Sequence, residues 1–321
     1  MPSKAKQWNG RSGQAAHWVS AYIFHSLPFE KIIAEWLSPF LEYVTADHKI
    51  THYFFIRYWE RGAHLRVRLL LPDVGKRSVV ENHLLDSVQN YFKLAGGKEH
   101  QHRVEFATYQ PEWDRYGGRL LMPVAEQHFV DSSKVVAELI RENYEHWDYA
   151  LAMGIAIQMQ VLFAQALFTE LPQSAGFFQF YFQHWLPCSL KGRADGNFSK
   201  DSIAKTIQHF ENSFQQQKEQ IAGIVATLRR NDLSENWQSS WYCCCQRLKG
   251  AIDQEVKPGA GFGSPRFQIS DELPLDRFTQ GGWSILESLV HMTNNRLGID
   301  LRDEAFLAYL LAKSLTASPA P

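Results

Sequence analysis

Between Tyr53 and Leu69 the chain places one imidazole and four guanidiniums; His64, Arg57, Arg66 and Arg68 are the ones whose positions suggest chemistry. The stretch reads as two strands joined by a short loop with Gly62 at its tip. Side chains alternate between the faces of a strand. His64, Arg66 and Arg68 therefore share one face over roughly 13 Å, and Leu65, Val67 and Leu69 share the other, which reads as buried. Guanidiniums held on a rigid strand grip a carboxylate bidentately. Arg57, on the preceding strand, joins them if the register allows. A solvated polar face is the competing reading.

A second group sits in Tyr109–Gly118, where Glu112, Asp114, Arg115 and Tyr116 crowd together without helix or strand periodicity. Pro111 and the Gly117-Gly118 pair mark this segment as a loop. Loops on a rigid scaffold often carry chemistry; a surface turn with a local Glu112–Arg115 pair is the plainer alternative. A third group is late in the chain. Glu287, His291 and Asn295 recur one helical turn apart, beside an apolar face of Leu286, Leu289, Val290 and Thr293. The spacing predicts that Glu287 fixes the tautomer of His291 and raises its proton affinity, although a lone helical histidine is more often structural. Taken together, arginines that hold carboxylates and a histidine that moves protons near neutral pH suit one kind of reaction. A carboxylate is held and leaves while a proton is taken elsewhere.

Other chemistries find less support. His100 and His102 share a strand face, but no third ligand is spaced near them. The sequence has no Walker motif, no dinucleotide fingerprint and no Gly-x-Ser-x-Gly elbow. No metal and no cofactor are expected.

These groups need elements to position them. Trp18 to Phe24 reads as a strand, and Phe29 to Tyr43 as an amphipathic helix that Pro39 should kink or break. The hairpin follows, then a helix over Ser78 to Leu94 ended by Gly96-Gly97, then a strand over Arg103 to Thr108. The order β-α-β-β-α-β resembles a split βαβ sheet with helices on one face. From Asp131 onward the pattern is helical. Asp131 or Ser132 is expected to cap a helix through Glu142. Further helices are expected over Trp147 to Phe168, Ser174 to Trp185, Ser199 to Arg229, Ser234 to Ile252, Trp283 to Leu297 and Asp303 to Leu315. Leu190 to Phe198 and Lys257 to Pro265 read as connectors. The expected class is α+β: an N-terminal mixed or antiparallel sheet with helices, then a mostly helical C-terminal half. Residues 1–321 would form a single domain, with a sheet lobe over about 17–125 and a helical lobe over about 126–321.

Composition sets the outer bounds. With 321 residues, 45% of them hydrophobic, the chain can bury a large core. A formal charge of −1 argues against binding driven by nucleic-acid phosphates. Met1 to Ala16 lacks an apolar core, so it does not read as a signal peptide. Tyr149 to Phe168 is apolar but carries Gln158, Gln160 and Gln165, and reads as a core helix rather than a membrane span. The four cysteines are Cys188 and the run Cys243 to Cys245. Adjacent helical positions diverge by about 100°, so the run cannot close on one metal. Reduced thiols in the cytoplasm are the simplest expectation.

Four blocks occur in one order: Phe55-Ile56-Arg57-Tyr58 with His64-Leu65-Arg66-Val67-Arg68; Tyr109-x-Pro-Glu-x-x-Arg-Tyr-Gly-Gly118; Glu126-x-x-Phe129-x-Asp131-Ser132; and His291-Met292-x-x-Asn295-Arg296-Leu297. Together they resemble the C-terminal elimination domain of class I lanthipeptide dehydratases, which also occurs free-standing in thiopeptide and related bacteriocin biosynthesis. The resemblance covers nearly the whole chain. It implies that a separate partner glutamylates Ser or Thr of a precursor peptide from glutamyl-tRNA. This chain would then act as a lyase, removing glutamate to leave dehydroalanine or dehydrobutyrine. It would be half of a split dehydratase, with no direct contact to nucleic acid or membrane; homodimerisation stays open. The family's catalytic arginine pair matches Arg66 and Arg68, its loop arginine Arg115, and its late histidine His291. His64, Arg57, Tyr116 and Arg296 complete the set as substrate-binding candidates. Arg66, Arg68, Arg115 and His291 are expected to converge on one cleft, with His64 and Tyr116 at its rim. The acid or base role of His291 stays open. Two alternatives remain. One is a relative that fuses dehydroalanines into a nitrogen heterocycle by formal [4+2] cycloaddition, and the other is a non-catalytic subunit that binds the precursor peptide.

Overall fold

A computed structural model describes residues 17–94, 102–190, 200–230, 232–256 and 280–317. The N-terminal segment, the Gly96-Gly97 helix end, His100 and the two expected connectors beyond Leu190 and from Lys257 lie outside these residues. The chain divides into two compact units. The first comprises Met1–Trp113 and Gly118–Trp147, and the second Asp114–Gly117 and Asp148–Pro321. The first unit thus runs past residue 125 and takes in a long helix, while the short loop segment around Arg115 belongs to the second.

The first unit is built on four strands, β1 (Trp18–His25), β2 (His52–Tyr58), β3 (His64–Leu70) and β4 (His102–Ala107). They form one antiparallel sheet in the order β2-β3-β1-β4. One face carries Val19, Ala21, Ile23, Phe55, Leu65, Val67 and Leu69, all with essentially no exposure. At about 25 cal/mol per Å² of apolar surface, such a run fixes the register, because a one-residue slip would turn every one of these side chains outward. Between β1 and β2 lie α1 (Phe29–Ile32), a π-helical turn (Ile33–Leu37) and α2 (Ser38–Ala46). Pro39 falls at the start of α2. It has no amide hydrogen to give the preceding turn, and the wider π turn absorbs the missing bond without ending the helix. Helix α3 (Arg77–Leu94) buries Val80, Leu84, Val88 and Phe92. At the β2–β3 tip Arg61 and Gly62 take positive φ, 64° and 112°, the conformation a tight reversal needs and glycine adopts without penalty.

Helix α4 (Gly118–Glu142) corrects one expectation. Asp131 and Ser132 do not start a helix; they are buried in the middle of this one, and the Ser132 hydroxyl donates back to His128 O at 2.7 Å. The apolar stripe of Leu121, Met122, Ala125, Phe129 and Val130 carries the helix through Pro123. Packing of an amphipathic face outweighs local cap preference. Ser133 then accepts a bond from the Phe55 amide on the edge strand β2, at 3.1 Å.

The second unit is helical: α5 (Tyr149–Leu167), α6 (Leu171–Leu190), α7 (Lys200–Arg229), α8 (Asn236–Glu255), α9 (Gln280–Leu297) and α10 (Leu301–Ala317). Asp148 caps α5, its carboxylate accepting from Leu151 N at 2.7 Å. Helices α6 and α10 pack closely, with Phe177, Phe178, Tyr181, Leu307 and Leu311 fully buried. By length and composition α5 would suffice to cross a membrane, its glutamines notwithstanding, yet 67% of its apolar window is buried inside the protein. It is a core helix. The four cysteines are free thiols.

Candidate functional site

In the sheet unit, the second face of β3 meets β1 and β2 in defined register. His64 lies opposite Phe24 and Tyr58, Arg66 opposite Tyr22 and Ile56, and Arg68 opposite Ser20 and Phe54. Strand alternation therefore groups the two arginines with aromatic side chains. The Arg66 guanidinium sits between rings, 3.4 Å from the centroid of Tyr58 and 4.6 Å from that of Tyr22. Its Nε donates to His64 Nε2 at 3.2 Å, and His64 Nδ1 meets Gly62 O at 2.8 Å. Nε2 must accept, so the proton of His64 resides on Nδ1 and the ring is neutral. Burial lowers the proton affinity of His64, opposed by the Gly62 bond and reinforced by Arg66 and Arg61. His64 thus orients Arg66 from a buried position under Phe24, 4.4 Å between ring centres. Within the sheet unit it has no exposed, rim-like surface.

Arg68 is 7% exposed, and burial pulls its guanidinium down to about 10. Tyr22 and Tyr109 lie 5.2 and 5.6 Å from it. Among the described residues it has no carboxylate partner, and both its Nε and the facing Ser20 hydroxyl are buried without a hydrogen bond. A buried guanidinium in this condition is costly, because charge is lost from water with nothing of opposite sign to replace it. Tyr109 also bonds Glu126, a buried carboxyl that desolvation pushes up to about 7. Sequence reasoning left Glu126 without a role.

Arg57 does not join this face. The register sets it opposite Leu65, on the helix-covered side, where it is 2% exposed and ion-paired with Glu30. In this register Ile56 lies opposite Arg66 and shares its face, so Arg57, the next residue along β2, points to the other.

In the helical unit, α9 carries His291 and the 114–117 segment carries Arg115 and Tyr116. Arg115 Nε donates to Ser288 Oγ at 3.1 Å, and Ser288 in turn donates to Ser284 O at 2.9 Å. The expected Glu287–His291 pair is not formed. His291 Nδ1 instead meets Glu304 of α10 at 3.0 Å, and Glu304 also accepts from Tyr181 OH at 2.7 Å. Asn294 steadies Tyr181 at 3.3 Å, and Gln160 steadies Asn294 at 3.2 Å. Trp185 stacks on the His291 ring at 4.3 Å. Glu287 pairs with His184 of α6, a residue with no signal in its own sequence neighbourhood. Burial pushes Glu287 up to about 7.

Arg296 and Tyr116 are placed differently from expectation. Arg296 is fully buried, gives Nη1 to Met292 O at 2.7 Å, and burial lowers it to about 9 with Tyr116 opposing. Tyr116 is 2% exposed. Tyr116 of the 114–117 segment lies within electrostatic reach of Arg296 on α9. No cluster of three or more metal-ligating side chains occurs among the described residues. His102, one of the two strand histidines, stacks on Phe92 at 4.6 Å.

Comparison with known proteins follows the same lines. Residues 18–315 match the family described as Lantibiotic biosynthesis dehydratase C-term. Subtilin biosynthesis protein SpaB of Bacillus subtilis is 33% identical over 133 residues, 41% of this chain but 12% of SpaB. Among solved structures, the pyridine synthase TbtD from thiomuracin biosynthesis superimposes with a TM-score of 0.67 at 15% identity, covering 94% of this chain and 98% of that one. MibB, a tRNA-dependent lantibiotic dehydratase from Microbispora sp. 107891, gives 0.58 at 18% identity, covering 96% of this chain and 28% of MibB. At such identities the structural likeness shows the fold alone.

Proposed function

We propose that this chain, which belongs to the family of lantibiotic biosynthesis dehydratase C-terminal domains, eliminates glutamate from glutamylated Ser or Thr of a precursor peptide. A glutamylating activity that draws on glutamyl-tRNA would supply the ester, in the cytoplasm. The observation that carries the reading is Arg68: a buried guanidinium with no carboxylate partner among the described residues, beside an Arg66 held between two rings. Such a pair favours a guest that brings its own carboxylate.

A serine hydroxyl leaves poorly, whereas the carboxylate of an ester leaves well. Elimination then needs a base for the weakly acidic Cα proton and positive charge for what develops. His291 supports the first. Glu304 accepts from both Tyr181 and His291, which keeps the proton of His291 on Nδ1 and presents Nε2 as the base. As Nε2 takes the Cα proton, the freed electron pair forms Cα=Cβ, the Cβ–O bond breaks and the carboxylate departs. The arginines would hold that carboxylate and stabilise the enolate-like charge. Arg115 is assigned to the same reaction.

A second reading is ring formation, which is what TbtD, matched over nearly its full length, is described as catalysing. A substrate already converted to dehydroalanines has no glutamyl carboxylate for Arg68. Intact-mass analysis separates the cases. A glutamylated peptide incubated with this protein should lose glutamic acid. Consumption of the dehydroalanines of a peptide that bears them, with loss of water as the new ring aromatises, would support cycloaddition, and no change in either peptide would support a non-catalytic peptide-binding subunit.

A further inference from the structure

Tyr22 lies in the middle of β1, with β3 on one side and β4 on the other. Its neighbours Ala21 and Ile23 are fully buried on the opposite face, so alternation turns the tyrosine toward the arginines. The side chain is half-buried. It faces Arg66 directly in the register. Its ring centre is 4.6 Å from the Arg66 guanidinium, 5.2 Å from that of Arg68 and 5.5 Å from the His64 ring. Its hydroxyl also accepts a hydrogen bond from Arg68. The elimination reading gives no part to Tyr22, a side chain that touches all three.

Two guanidiniums side by side on one strand face need such a neighbour. Arg66 and Arg68 are two positions apart, about 6.6 Å along β3. Burial, and beyond it the charge of Arg66, disfavours the charge on Arg68. Without a counterweight the two heads would separate toward water. An aromatic face attracts a guanidinium, and a phenol oxygen accepts a bond from one. A single tyrosine against both heads therefore offsets their repulsion. Their other contacts are divided: His64 and Tyr58 hold Arg66, and Tyr109 adjoins Arg68. Arg66 also meets Glu60 at 3.8 Å, and that glutamate side chain is 71% exposed. So long a contact in water is weak, and an entering carboxylate can replace it.

We propose that Tyr22 is the positioning residue of the carboxylate site. Its ring and its hydroxyl hold the Arg66 and Arg68 guanidiniums together as one fork, so that both reach the same carboxylate. Tyr22 acts through the arginines and not on the peptide. The inference rests on the elimination reading for the identity of that carboxylate, the glutamyl group.

The test compares the full chain with Tyr22→Phe and Tyr22→Leu. Titration calorimetry with free glutamate gives a Kd and a stoichiometry, and intact mass gives kcat and KM for glutamate loss from glutamylated peptide. Phenylalanine keeps the ring and removes the acceptor, so glutamate affinity should fall about 5-fold. Leucine removes both, and affinity should fall about 50-fold. KM for the glutamylated peptide should rise in the same order. A tyrosine that only filled space would change the stoichiometry, through the share of folded protein, and leave Kd alone. Circular dichroism identifies a variant that fails to fold; if Tyr22→Leu is one, Tyr22→Phe alone decides. Folded variants with the wild-type Kd and KM would overturn the positioning role. A wild-type protein that binds glutamate but releases none from the peptide would sink the elimination reading and leave the fork standing. One that neither binds nor releases glutamate would refute both.

Discussion

Replacing Arg68 by methionine should make the protein more stable and stop the reaction. Burial lowers the guanidinium from its usual range to about 10, which corresponds to roughly 3 kcal/mol against the charged form. At pH 7 the group is charged folded and unfolded, so this cost is present in full; it is relieved only as pH rises past about 10. Against it stand two ring contacts, to Tyr22 and Tyr109, worth about 0.5–1 kcal/mol each. Methionine fills similar space with no charge to desolvate and no Nε to satisfy. The expected net gain is roughly 1–2 kcal/mol, a rise of a few degrees in melting temperature. The assay is thermal unfolding by circular dichroism, with and without free glutamate. Glutamate at about ten times its Kd should stabilise the wild type by about 1.4 kcal/mol and leave the variant unmoved. Intact mass with glutamylated peptide should show the ester accumulating. A variant that melts lower than wild type by about 1 kcal/mol or more would refute the argument, because Arg68 would then be a structural charge with a sufficient partner.

Four further outcomes follow from the described contacts. His291→Ala should accumulate glutamylated peptide with peptide affinity almost unchanged, and Glu304→Gln should retain partial activity, since only the orientation of the imidazole is weakened; titration calorimetry beside intact mass checks both. Glu126, which burial pushes up to about 7 from 4.5, costs stability once ionised. Glu126→Gln should therefore stabilise by up to roughly 3 kcal/mol above pH 7 and make no difference near pH 4, as urea unfolding across that range would show. Removing Glu30 leaves Arg57 buried without its counter-charge, so Glu30→Ala should cost about 3 kcal/mol in the same unfolding experiment, while the surviving folded protein keeps its rate.

The sequence by itself determined what depends on short-range pattern. Alternation in β3 put Arg66 and Arg68 on one face, because the side-chain period of a strand is two whatever lies around it. Apolar spacing located most helices to within a few residues, though α4 begins at Gly118 and not near Asp131, and the loop around Arg115 was legible from Pro111 and two glycines. The tertiary structure decided whatever depends on which element lies next to which. Arg57 left the arginine face because register, set by the buried side of the sheet, is a property of two strands. His291 took Glu304 rather than Glu287, since a half-buried imidazole bonds the carboxylate that packing brings to it from α10. Arg296, a substrate-binding candidate on the resemblance, is fully buried and turns its guanidinium back to Met292 O of its own helix. Glu287 and His184, which lie on different helices, found each other only once α6 and α9 were packed together, and desolvation of a carboxyl is a consequence of that packing which no spacing of residues can express.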